Sequence, residues 1–200
     1  MKLFVMRHAE AESGAQMDPT RKLTDTGKRQ AKMMGKWLSR QTLKPEVVVH
    51  SSFRRSRSTA KRVANQLDVP LIQADKGALD PDAMTDNAWA EMKRIAKEYG
   101  VQSVIAVTHG PLVEKLLAHL TGSPLPQQFH YAHAAVAHFD TTSGNRGILH
   151  WLVTPNVVAR DEDELENVTH DAKATIEAAL AIAEMALVEI PDSVPANGTK

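Results

Sequence analysis

The sequence predicts an α/β domain built as a three-layer sandwich, a mostly parallel central sheet flanked by helices, with an additional C-terminal helix. Three observations carry this. Apolar runs of strand length recur at residues 2–6, 47–50 and 103–108 without polar alternation, as expected of strands buried on both faces. Between them lie segments with apolar residues at helical spacing, and strand–helix alternation implies parallel crossovers. Finally, residues 1–160 hold 22 Lys+Arg against 14 Asp+Glu, a net +8, whereas residues 161–200 hold 2 against 10, a net −8.

Lys2 to Met6 reads as the first strand. The following loop to Arg21 contains Gly14, Asp18, Pro19 and Thr20, all turn formers, and is expected to overhang the carboxyl end of that strand. Thr24 or Thr26 suits the N-cap of a helix through about Arg40, with Ala31, Met34, Trp37 and Leu38 on its inner face. Val47–His50 is a second strand. The basic segment Ser51–Arg57 then leads into a helix to about Asp68, with Ala60, Val63, Ala64 and Leu67 inward.

Leu71–Ile72 is a short strand, residues 75–86 read as loop, and residues 88–99 as a helix stopped by Gly100. Ser103–Thr108 is the third long strand. Pro111 fits the first turn of a helix whose apolar face is Leu112, Val113, Leu116, Leu117 and Leu120, ended by Gly122. Residues 134–140 and 147–154 pair around Thr142-Ser143-Gly144-Asn145, a hairpin signal. The predicted domain spans residues 1–160. An acidic helix covers residues 161–190, with Leu165, Val168, Ala172, Ile176, Leu180 and Leu187 in a heptad-like stripe that packs on the domain or pairs two chains. Residues 191–200 read as a disordered tail.

Composition narrows the chemistry. The chain has no cysteine, so disulfide frameworks, thiolate zinc sites and thiol redox control are excluded. The first residues contain one lysine and a short apolar run ending at Arg7, neither a signal peptide nor a membrane span, and the expected location is cytoplasmic. His130, His133 and His138 match no common metal-ligand spacing, so neither metal nor cofactor is expected. The basic stretch from Arg54 to Arg62 lacks interleaved aromatics and does not read as a nucleic-acid surface. A positively charged body suits an anionic substrate.

The chemistry concentrates at three strand ends. Arg7-His8 closes the first apolar run, His109-Gly110 closes another, and Ser51-Ser52-Phe53-Arg54-Arg55-Ser56-Arg57 lies between them. Imidazole attacks phosphorus near neutral pH, and arginine presents a permanently charged fork matched to phosphate oxygens. Taken singly, each histidine is more simply a hydrogen-bonded residue at a strand end. Together with the arginines, both point to one phosphate. Arg54 and Arg57 are expected to face solvent.

The pattern resembles the histidine phosphatase superfamily, of phosphoglycerate mutase-like fold, whose Arg-His-Gly motif reads here Arg7-His8-Ala9. It looks most like the SixA-type phosphohistidine phosphatases over about residues 1–155. The matching stretches are Met6–Ala11, Arg21–Gly27, Val49–Arg55 through Ala60, Leu79-Asp80-Pro81, Thr108–Val113 and Gly144-Asn145 to Trp151. The resemblance implies a cofactor-independent hydrolase in which His8 is the nucleophile and forms a phosphohistidine intermediate, while Arg7, Arg55 and His109 hold the phosphoryl oxygens. Arg21, Ser51 and Gly110 are expected to bind substrate, and Glu10 to play a supporting part.

Relatives acting on esters commonly place a proton-donating glutamate after the second arginine helix, and no glutamate occurs here between Glu46 and Glu91. An alkoxide leaves badly without a proton, whereas imidazole, with a conjugate-acid pKa of about 6.5, leaves readily. This favours a phosphorylated histidine on a phosphotransfer domain or phosphocarrier protein. Asp80 and Asp82, on the loop in question, are candidate proton donors, although both also suit the turn around Pro81. The competing readings are a phosphatase of the same fold acting on a small phosphate ester, and a non-catalytic phosphate-binding module. A mutase is disfavoured because the chain lacks insertions to close a pocket.

Overall fold

In the computed structural model, which describes residues 1–75, 77–122, 131–141 and 146–160, six strands form one sheet. They are β1 (Lys2–Arg7), β2 (Val47–His50), β3 (Leu71–Gln73), β4 (Ser103–Thr108), β5 (Val136–Thr141) and β6 (Gly147–Val153), in the order β3-β2-β4-β1-β5-β6. The pairs β3–β2, β2–β4 and β4–β1 are parallel, and β5 is antiparallel to both β1 and β6. The expected hairpin is therefore present as β5–β6, although its turn at residues 142–145 lies outside the described residues, as do the acidic helix and tail expected beyond residue 160. Met1–Val158 is one compact unit.

The uninterrupted apolar runs arise because both faces of the sheet are covered. Leu3, Val5, Val47, Val49, Val104 and Ala106 face one core, with α3 (Thr85–Tyr99) and α4 (Leu112–Thr121). The alternate residues Phe4, Met6, Val48, Ile105 and Val107 face the other, with α1 (Asp25–Ser39) and α2 (Arg54–Leu67). This is the period-two alternation of a strand expressed between two apolar layers. Among the described residues, no helix is long and apolar enough to cross a membrane.

Helix ends follow local chemistry. Thr24 caps α1 by accepting the Gly27 amide at 2.9 Å, and its own hydroxyl donates to Glu10 Oε1 at 2.6 Å. Helix α2 ends at Asp68 in the left-handed conformation, α3 at Gly100 and α4 at Gly122. Gly27 also allows the start of α1 to meet the loop after β1, since a Cβ there would lie 1.9 Å from the Glu10 carbonyl oxygen. Three details differ from expectation. Trp37 is only partly buried and packs edge-on against Trp151, because the inner stripe of α1 centres on Ala31, Met34 and Leu38. Pro111 precedes α4 as its cap rather than entering the first turn. Helix α3 starts at Thr85, inside the expected loop.

Candidate active site

The parallel register decides where the reactive side chains go. Arg7 is paired with Thr108 and His50 with Val107, so the residues that follow β1, β2 and β4 emerge on one edge of the sheet. That crevice at the carboxyl ends of parallel strands is where α/β folds bind ligands. Arg7, His8, Arg21, Arg55, Gly110 and His133 line a cleft of about 500 Å³ there, with Gly14, Gln16, Pro111 and Glu114 completing its wall.

His8 is fixed at both ring nitrogens. Its Nδ1 lies 2.7 Å from the Ala9 carbonyl oxygen, an acceptor, so Nδ1 carries the proton. Arg55 Nε donates to His8 Nε2 at 3.1 Å, and a guanidinium N–H only donates, so Nε2 bears a free electron pair. Burial, together with the nearby charges of Arg55, His133 and Arg7 and against the Ala9 hydrogen bond, pushes the His8 pKa down to about 3. The ring is neutral throughout the physiological range.

Arg55, only 1% exposed, is held by the expected overhanging loop: Nη1 donates to the Asp18 carbonyl at 2.8 Å and Nη2 to the Gln16 carbonyl at 2.7 Å. Burial and the neighbouring Arg21 lower its pKa to about 10, so it remains a cation. Arg7 Nη1 donates to the Tyr131 carbonyl at 2.6 Å, and its buried Nε has no hydrogen-bond partner among the described residues. Arg21 is anchored through Nε to the Glu12 carbonyl at 2.7 Å.

The His109 ring lies 5.1 Å from that of His8. Its Nε2 is 2.6 Å from Ser51 Oγ, and its buried Nδ1 has no partner among the described residues. Burial and the surrounding rings and guanidiniums push its pKa down to about 2. Ser51 Oγ also receives the Phe53 amide at 3.3 Å, and among the described residues its own proton has no acceptor other than His109 Nε2, so the serine donates to that nitrogen. The single ring proton then resides on Nδ1, the tautomer set by the hydrogen-bond network.

The structure brings Arg7, His8, Arg21, Arg55 and Gly110 onto one cleft wall, while His109, only 1% exposed, lies beneath that wall with its ring 5.1 Å from His8. Ser51, expected to bind substrate, is buried behind His109 and does not line the cleft. Asp80 accepts from the Ser52 amide at 3.1 Å and from the Ser52 hydroxyl, and Asp82 lines a separate depression with Ala83, Glu91 and Arg94. Neither aspartate is on the cleft wall. The sequence reading missed His133 and Glu114. The His133 ring is 5.5 Å from His8, and burial and Arg7 lower its pKa. His133 lies outside every motif and enters because the segment before β5 crosses the end of β1, where the Ala134 amide donates to the His8 carbonyl at 3.2 Å. Glu114 could have been found from its position, two residues into the helix that His109 precedes. His138, by contrast, stacks on Phe4 and His150, away from the cleft.

Comparison with known proteins agrees with this geometry. Residues 3–77 match the model of the histidine phosphatase superfamily, branch 1. Over 155 residues the chain is 30% identical to phosphohistidine phosphatase SixA of Escherichia coli, covering 78% of this chain and 94% of that protein. The chain belongs to the histidine phosphatase superfamily. A SixA homolog of Haemophilus influenzae is 32% identical to this superfamily member over 140 residues, 66% of this chain and 84% of that protein. The solved structure of the protein histidine phosphatase SixA complexed with tungstate superimposes with a TM-score of 0.70 at 29% identity, covering 79% of this chain and 99% of that one. The phosphoglycerate mutase-like architecture expected of the superfamily is thus the one observed.

Proposed function

We propose that this protein is a phosphohistidine phosphatase that removes the phosphoryl group from a phosphorylated histidine of a phosphotransfer or phosphocarrier protein. The observation that carries this is the fixed tautomer of His8, with Nδ1–H on the Ala9 carbonyl and the Nε2 electron pair under Arg55. A lone pair held in a cationic cleft is a nucleophile for phosphorus. The tungstate of the solved relative is a tetrahedral oxyanion like phosphate.

In the first step His8 Nε2 attacks phosphorus, an N–P bond forms, and the bond to the leaving nitrogen breaks with its electron pair returning to the substrate ring. The phosphorylated His8 ring keeps its Nδ1 proton, and the Ala9 carbonyl accepts from it. Water then attacks phosphorus and releases inorganic phosphate, restoring the Nε2 electron pair. As the phosphoryl group enters, the Arg55 Nε–H passes from the lone pair to a phosphoryl oxygen while Nη1 and Nη2 stay on the Asp18 and Gln16 carbonyls. Arg7 and the Nδ1–H of His109 hold the other oxygens, where charge spreads during transfer. Arg21 adds positive charge at the rim. With Asp80 and Asp82 off the cleft wall, the geometry suits a leaving group that departs without a proton from that loop.

The test is incubation with a phosphohistidine protein and, in parallel, a small phosphate ester, followed by mass spectrometry under non-acidic conditions. An acid-labile +phosphoryl adduct on His8 and turnover of the phosphohistidine protein are expected, with both lost in His8→Ala. Turnover of the ester alone would favour the phosphomonoesterase reading. No adduct on either substrate would leave a binding module.

A further inference from the structure

Glu114 introduces a negative charge into a cleft otherwise built for anions. It is in the first turn of α4 and lines the same wall as Arg7, His8 and Gly110. A methyl group on Gly110 would sit 3.4 Å from both carboxylate oxygens of Glu114 and 3.8 Å from the guanidinium carbon of Arg7, so carboxylate and guanidinium border one small space above Gly110. The charge of Glu114 also acts on Arg7, opposing the effect of burial on that group.

A carboxylate beside the phosphoryl site repels a dianionic ester, whose leaving oxygen offers it no proton. It attracts a substrate with positive charge next to phosphorus. A phosphorylated imidazole has a second ring nitrogen which, when protonated, bears that charge and presents an N–H. We propose that Glu114 is a specificity residue that accepts this N–H and favours the protonated form of the substrate's phosphoimidazole. Cleavage then balances without another acid: the P–N bond breaks, its electron pair stays on the leaving nitrogen, and the distal nitrogen keeps its proton, so a neutral imidazole departs. This inference rests on the phosphohistidine reading above and identifies what in the cleft selects for it.

The test compares wild type with Glu114→Gln and Glu114→Asp on a phosphohistidine protein and on p-nitrophenyl phosphate, measuring kcat and kcat/KM separately from pH 6 to 9. For Glu114→Gln the phosphohistidine-to-ester ratio of kcat/KM is expected to fall about tenfold or more, as for loss of a charged hydrogen bond. The alkaline limb of the phosphohistidine kcat profile, which reports the bound complex, is expected to move about one pH unit lower, the size of a neighbouring-charge effect. Glu114→Asp is expected to keep the wild-type limb. Equal losses on both substrates, or an unmoved limb in Glu114→Gln, would overturn the proposal and leave Glu114 as a positioning residue for Arg7. If Glu114→Gln does not fold, a Glu114→Asp limb shifted away from wild type would overturn it instead. Failure of wild type to cleave the phosphohistidine protein at all would instead refute the underlying function.

Discussion

Two buried rings, His8 and His109, are held neutral by the surroundings that make them useful, and this has a measurable effect on stability. Their native pKa values, about 3 and about 2, lie below the ordinary 6.5, so the unfolded chain binds these protons more tightly. Between pH 6.5 and 3 unfolding therefore takes up protons, and stability falls as pH drops through that window. Thermal unfolding is expected to show a lower Tm at pH 4.5 than at pH 7.5, and a shallower decline in His109→Asn. Ser51 can be tested by the same logic of protonation. Ser51→Ala removes the partner of His109 Nε2 and frees the ring to take the wrong tautomer, so kcat is expected to fall about tenfold to a hundredfold in steady-state assays. A mere loss of packing would leave kcat near wild type.

The elements were read well from sequence where a single physical signal dominates. Fully buried strands announce themselves as unbroken apolar runs, and Gly100 and Gly122 stop helices by the left-handed geometry they adopt. The placement of the candidate set was equally legible, because Arg7-His8, Arg55 and His109 follow strand ends that a parallel sheet brings to one edge. Ser51, Glu114 and His133 were misjudged or missed, since depth behind a neighbour and the path of a loop depend on packing and not on spacing. Trp37 illustrates the same limit: periodicity fixes the face of a helix, not how far along it the core extends. The contact between α1 and the loop after β1 gives an element-level test. Gly27→Ala places a methyl against the Glu10 carbonyl, and the forced separation is expected to cost about 1–3 kcal/mol. Chemical denaturation would show it as a lower midpoint with an unchanged slope.

Across the whole molecule the charges cancel, but residues 1–160 alone carry a net +8, which favours encounter with an anionic surface. Association with an acidic phosphoprotein is expected to slow as ionic strength rises from about 0.01 to 0.15 M, where the Debye length contracts to about 8 Å. Stopped-flow rates that ignore salt would contradict this. The grip of the Gln16 and Asp18 carbonyls on Arg55 has a different consequence. Because the arginine is already docked before any ligand arrives, oxyanion binding asks little further ordering of residues 9–21. Backbone hydrogen–deuterium exchange across that stretch should be nearly the same with and without vanadate, whereas cutting the tether by Arg55→Ala should speed exchange there even in the empty enzyme.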